Sequence, residues 1–96
     1  MLVLVTYDVN TLEDGGKKRL RQVARACQDY GQRVQFSVFE CSVGEAGFAL
    51  LRQRLLAEMD DEEDSLRLYR LIGNFSDVVE SYGRDRRTDF EGPLIV

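Results

Sequence analysis

Leu2-Val3-Leu4-Val5-Thr6-Tyr7 is a continuous apolar run of strand length that ends on Asp8. Its lack of alternation predicts a central strand buried on both faces. Asn10 to Gly16 (NTLEDGG) interrupts the pattern with Asn, Asp and Gly, the chemistry of a loop. Leu20, Val23, Ala24, Cys27 and Tyr30 then recur at helical spacing, with Arg19, Arg21, Arg25 and Gln28 largely on the other faces. This predicts an amphipathic helix, for which Gly31 is the expected stop. From Arg33 to Val43 the sequence alternates with one change of phase. Val34, Phe36 and Val38 share one face, and Phe39, Cys41 and Val43 the other. A slip at Val38-Phe39 predicts a bulge or a tight link between two short strands. After Gly44 to Gly47, Phe48, Leu51, Leu55, Leu56 and Met59 have the core spacing of a second helix, which the acidic run at 60–64 ends. Ser65 to Ile72 (SLRLYRLI) alternates again, with Leu66, Leu68 and Ile72 on one side and Tyr69 and Leu71 on the other, and Gly73 closes that strand.

Strand, helix, strand pair, helix, strand is the order of an α+β fold, a ferredoxin-like βαββαβ sandwich with two helices on one face of an antiparallel sheet. Such a sheet keeps an open face and exposed edges, which a short chain meets with a partner. Residues 74–89 are mixed and polar, with a basic cluster at Arg84, Arg86 and Arg87, and the chain ends on Phe90-Glu91-Gly92-Pro93-Leu94-Ile95-Val96. An exposed Leu-Ile-Val terminus is expected to pair as an extra C-terminal edge strand, on the other subunit of a homodimer, and Pro93 suits an edge rather than a centre. The expected organisation is one ferredoxin-like domain over 1–96, with 74–96 as a dimerising tail.

At 96 residues the chain fits one small domain. A core of that size buries only about two thirds of the surface the unfolded chain exposes, so dimerisation is expected in the absence of disulfides. Cys27 and Cys41 belong to no CxxC pair and read as buried small hydrophobes. The N-terminal apolar run lacks a basic flank and is far too short to span a bilayer, so no membrane association and a cytoplasmic location are expected. The sequence contains no histidine, which excludes imidazole zinc sites, Ser-His-Asp triads and histidine general bases. Any hydrolytic chemistry must then run on carboxylates, metal and water.

A formal net charge of -4 argues against a simple nucleic-acid binder, but the charges are segregated. Lys17, Lys18, Arg19, Arg21, Arg25 and Arg33 stand against one acid, Asp29, between 17 and 33, whereas Glu58 and Asp60 to Asp64 are acidic. A basic stripe on an acidic protein can bind phosphates locally while the rest of the surface limits non-specific association. The same stripe also reads as a solvated helix face.

VTYDV, RLRQVA, GQRVQFSVFEC and DSLRLYRLIG, in this order and spacing from Met1 to about Gly73, resemble the small CRISPR-associated protein of the adaptation module, the Cas-two family. The terminal GPLIV is similar to the tails of one subgroup. The resemblance implies a ferredoxin-like homodimer that binds DNA or RNA and works with the CRISPR integrase subunit to capture foreign DNA as new spacers. It also implies a magnesium-dependent endonuclease acting on single-stranded RNA or double-stranded DNA. Asp8 is then the catalytic and metal-binding residue.

Magnesium keeps several waters, so one or two carboxylates plus phosphate oxygens suffice to hold it, and one Asp per chain is too little. If a dimer axis passes near the strand end, Asp8 of both subunits would supply two carboxylates to one Mg2+ or other divalent cation. Without metal those carboxylates would repel and their pKa values separate. The structural alternative for Asp8 is an Asx turn with the backbone near Asn10. Arg19, Arg21 and Arg33 are candidates for phosphate contact through their guanidinium forks, against ion pairing on a solvated surface. The loop NTLEDGGKK is longer here than in many members, which blurs the roles of Arg19 and Arg21, while Arg33 is anchored by the following VQFSVF. Tyr7, opposite Asp8 in the alternation, is a sheet-packing or positioning residue. Ser37 and Phe39 match the family's SVF motif. Ser37 orients a water or ligand or satisfies a turn, and Phe39 lies at the dimer seam or in the core. A non-catalytic scaffold that holds DNA for the integrase is the alternative function. A generic RNA-binding ferredoxin-like module lacks support, because no RNP-like aromatic pair is present.

Overall fold

In the computed structural model, which describes residues 1–83, the chain runs β1 (Leu2–Asp8), α1 (Gly16–Tyr30), β2 (Gly31–Gln35), β3 (Val38–Ser42), α2 (Glu45–Glu58), β4 (Ser65–Leu71) and a short α3 (Phe75–Val78). The four strands form one sheet in the order β2-β3-β1-β4, with every neighbouring pair antiparallel. This is the ferredoxin-like α+β arrangement. Each helix crosses from one strand to another that is not its sheet neighbour, which leaves β1 and β3 central and β2 and β4 as edges.

The core lies between the sheet and the two long helices. Val3, Val5 and Tyr7 of β1 and Phe39 and Cys41 of β3 face Val23, Ala24, Ala26 and Cys27 of α1 and Phe48, Leu51 and Leu55 of α2. The expectation that β1 is buried on both faces is corrected. Leu4 and Thr6, on the other parity, are only half-buried and Asp8 is exposed, because both long helices cover the same side of the sheet. The unbroken apolar run of β1 therefore marks a face left open by the described residues rather than a second covered layer.

Two other expectations shift, at the β2–β3 link and at Leu56. The link between β2 and β3 is a two-residue turn at Phe36-Ser37, ahead of the expected slip, and the pairing irregularity falls between Arg33 and Gln35. The turn leaves Phe36 exposed. Gly31 ends α1, as expected, and does so in an extended conformation, φ -169°. It is required there because a β-carbon would collide with the Glu40 carbonyl and the Cys41 side chain of the neighbouring strand. Leu56 of α2 is 59% exposed rather than core, and Ile72, just beyond β4, is 94% exposed. At the start of α1 the paired glycines have separate tasks. Gly15 takes a left-handed φ of 85°, while a β-carbon on Gly16 would strike the Asn10 backbone.

Cys27 and Cys41 are buried free thiols, as expected. Burial pushes them up to about 12 and about 11 respectively, so neither is a nucleophile at neutral pH. No helix among the described residues is long and apolar enough to cross a membrane. The basic cluster at 84, 86 and 87 and the expected edge strand near the C-terminus lie outside the described residues, and α3, at 75–78 in the mixed polar stretch, was not signalled by periodicity.

Candidate functional site at the end of the first strand

Asp8 is the last residue of β1, set opposite Ser65 in the β4 ladder. Strand alternation puts it on the open face with Leu4 and Thr6, while Tyr7 points into the core and is only 5% exposed. The turn chemistry that would have given Asp8 an ordinary structural role is carried out by its neighbours. Asn10 Oδ1 accepts the Leu12 N–H at 3.0 Å, closing the Asx turn, and the Asn10 N–H donates to Asp64 Oδ1 at 3.0 Å. Asn10 Nδ2 also donates to Glu63 Oε2 at 2.9 Å. Among the described residues the Asp8 carboxylate has no hydrogen bond or ion pair. An exposed carboxylate without a partner among the described residues, on a strand end held by the β4 ladder, is free to meet a ligand.

The loop after Asp8 is fixed by a group that sequence reasoning did not single out. Asp64, the last acid of the run before β4, has a fully buried side chain. Its Oδ2 accepts from Arg19 Nε at 2.9 Å and from the Asp60 N–H at 2.9 Å, and its Oδ1 from Arg19 Nη2 at 3.3 Å and from Asn10. Burial alone would raise its pKa. The Arg19 fork and the two backbone N–H groups outweigh that and hold it below the ordinary carboxylate value. Arg19 also reaches Glu13 Oε2 at 3.4 Å. The ion-pairing alternative therefore describes Arg19, whose guanidinium braces the β1–α1 loop and is not left open for phosphate. The signal in the sequence was an acid directly before a strand, facing an arginine in the first turn of a helix.

Arg21 is exposed on α1, where it and Arg25 flank a shallow depression completed by Gln22, Ala24 and Gln28. Arg33 lies on the β2 edge. Its ladder partner is Phe39, and its guanidinium sits over the Phe39 ring, 5.0 Å from the centroid. Phe39 is fully buried and stacks on Tyr7 with centroids 6.2 Å apart. Its placing at a dimer seam is thus corrected to the core, because its parity in β3 matches the helix-bearing face. Tyr7 Oη is buried without a hydrogen-bond partner. Burial raises the phenol pKa, and the nearby Arg33 guanidinium offsets part of that rise. Ser37 serves the hairpin turn through its backbone, its carbonyl accepting the Tyr7 N–H at 3.1 Å.

Arg33, Phe39 and Tyr7 thus form one group on the helix side of the sheet, and Asp8 stands on the opposite face at the same end. No cluster of three or more metal-ligating side chains occurs among the described residues of one chain. Asp8 fits a hard cation as one carboxylate of a set, and a second copy of the chain is the simplest source of another.

The residues 1–76 match the family model described as CRISPR associated protein Cas2. The chain is 56% identical over 96 residues, 100% of its length and 94% of the relative's, to the CRISPR-associated endoribonuclease Cas2 of Nitratidesulfovibrio vulgaris. It is 55% identical over 95 residues, 99% of each chain, to the CRISPR-associated endonuclease Cas2 of Halalkalibacterium halodurans. A crystal structure of Streptococcus pyogenes Cas2 superposes with a TM-score of 0.75 at 55% identity, covering 86% of this chain and 100% of that one.

Proposed function

This chain belongs to the Cas2 family of CRISPR-associated proteins, and from that premise we propose that it is a divalent-metal-dependent endonuclease acting as a homodimer, with Asp8 of both subunits at its centre. The observation that carries this reading is the exposed carboxylate of Asp8, unpartnered on the open face of the sheet while Asn10 and Asp64 perform the turn's structural work. Two such carboxylates facing across a dimer axis would hold one magnesium ion, and phosphate oxygens and water would complete its shell. When bound, that ion supplies Lewis-acid polarisation of a phosphodiester and a water of lowered pKa, the two functions that a chain without histidine cannot draw from imidazole.

The protein's own residues fix the geometry. The β1 ladder and the Asn10–Asp64–Arg19 brace hold the strand end, and thereby the Asp8 backbone, in one position. Arg21 and Arg33, exposed on α1 and β2, are positioned to meet phosphates, with Arg33 oriented by the Phe39 ring beneath it. Arg19 contributes from behind, through the loop. The names of the relatives, endoribonuclease in one case and endonuclease in the other, support phosphodiester hydrolysis as the reaction. The setting in which it works is CRISPR adaptation in the cytoplasm, alongside the integrase subunit.

A second reading rests on the supply of ligands. One chain provides a single carboxylate at the site, and among its described residues no cluster of three metal-ligating groups occurs. A dimer that holds DNA for the integrase without cutting it needs only the basic surfaces. The experiment that separates the two uses purified protein with labelled single-stranded RNA and double-stranded DNA, with magnesium or with chelator. The nuclease reading expects cleavage that requires the metal and falls at least about a hundredfold in Asp8→Ala. Cleavage that survives the substitution removes Asp8 from catalysis, and spacer acquisition that persists in an Asp8→Ala strain favours the scaffold.

A further inference from the structure

Three arginines lie over aromatic rings on the helix-bearing side of the sheet. Arg33 covers Phe39 at the β2 edge, whereas Arg52 of α2 and Arg70 of β4 both cover Phe48, at 5.2 Å and 5.1 Å from its centroid. Phe48 is almost completely buried, so its ring is a fixed platform. Arg52 follows it by one helical turn, and Arg70 reaches it from the strand position opposite Val3. The two guanidinium groups are thus no more than about 10 Å apart, about one Debye length at 0.1 M salt, a distance at which like charges still repel. In a chain with 17 acids against 13 bases, Arg19 and Arg54 each have a carboxylate partner. Arg52 and Arg70 have none among the described residues.

We propose that Arg52 and Arg70, held together on Phe48, are a phosphate-binding point for a nucleic-acid backbone at the β4 edge of the helix-bearing face. This rests on the nucleic-acid-binding reading above and extends it to residues outside the Asp8 strand end. A guanidinium stacked on a ring keeps its N–H edge available and loses little freedom on binding, which suits a phosphate oxygen pair, and an anion between the two groups relieves their repulsion. A nucleic acid is favoured over an acidic peptide by the surroundings. Arg33 stands at the opposite edge of the same side of the sheet, and Arg21 and Arg25 are exposed on α1. Of the acids at 60–64, Asp64 is engaged by Arg19 and Asn10, and Glu63 by Asn10.

The test is fluorescence anisotropy on the full chain with a labelled DNA duplex and a labelled single-stranded RNA, without magnesium, over a series of potassium chloride concentrations. R52Q/R70Q is expected to weaken binding about tenfold and to lower the slope of log K against log salt by about 2 on the duplex. R54Q, which removes a guanidinium already paired with Asp29, is expected to bind as the unsubstituted protein does. F48L keeps both charges and removes the platform, so it should lose affinity with a smaller change in slope. Should F48L fail to fold, the two surface substitutions decide the matter. An unchanged affinity or an unchanged slope in R52Q/R70Q overturns the proposal while leaving the nucleic-acid reading intact. A loss of retention on polyglutamate with normal nucleic-acid binding also overturns it, in favour of a protein partner. No binding by the unsubstituted protein overturns the nucleic-acid reading itself and this proposal with it.

Discussion

Asp8 and Tyr7 are adjacent in the chain and opposite in everything else. One is an exposed carboxylate with no partner among the described residues, the other a phenol 5% exposed whose hydroxyl is buried without a hydrogen bond. A buried hydroxyl left unpaired costs stability. Tyr7→Phe should therefore leave the thermal midpoint unchanged or raise it by a few degrees, as measured by calorimetry, and a clear fall would mean that the hydroxyl is satisfied in solution. The same variant separates packing from positioning. If Tyr7 only packs on Phe39, nuclease activity is retained along with the fold, whereas a loss of activity at full stability assigns the hydroxyl to the site. The strand-end position of Asp8 was legible from the apolar run that precedes it. Its lack of a structural partner was not, because that depends on Asn10 and Asp64, 54 residues apart, meeting at the same loop.

At the scale of elements, the brace between the β1–α1 loop and the start of β4 links a charge pair to the site. Asp64 is fully shielded and Arg19 nearly so. Breaking a buried pair by removing one partner leaves an uncompensated charge. Asp64→Asn is expected to lower the thermal midpoint at pH 7 by about 5–10 °C. The pH dependence follows from the direction of the shift. The folded pKa of Asp64 lies below the unfolded value of about 3.9, so its stabilisation is complete above that pH and is lost as pH falls through the folded pKa. The difference in midpoint between wild type and Asp64→Asn should then shrink below about pH 4. A difference that stays constant down to pH 2 would contradict the assignment. Periodicity revealed the order of elements here, and the ferredoxin-like class with it. It missed the turn at Phe36-Ser37, because the phase of alternation is altered both by a bulge and by a turn and cannot separate their positions. It also assigned Leu56 to the core, since α2 carries leucines on more than one side.

For the whole molecule, the decisive feature is the face of the sheet that no helix among the described residues covers. Leu2, Leu4 and Thr6 of β1 and Tyr69 of β4 share it with Asp8 by ladder parity, and Tyr69 is 41% exposed. An apolar, partly exposed sheet face in a chain of 96 residues is where a second copy is expected to pack. The sequence carried this as a continuous apolar β1, which is indistinguishable in pattern from a strand covered by helices on both sides. Only the placement of both long helices on one side separates the two cases. Arg33 and Asp8 were candidates for one site, and the fold puts them on opposite faces at one end of the sheet, so a substrate that meets both must wrap the sheet edge or span two subunits.

The pairing of two Asp8 carboxylates across a dimer axis is tested most directly by subunit mixing. Wild-type and Asp8→Ala chains are unfolded, combined in varying ratio, refolded together and assayed for magnesium-dependent cleavage at constant total protein. If both copies of Asp8 hold the one metal, only dimers with two wild-type subunits cut. Activity then falls as the square of the wild-type fraction, to roughly a quarter at an equal mixture. A linear fall, to about a half at the same ratio, would mean that each Asp8 works alone and would contradict the paired site.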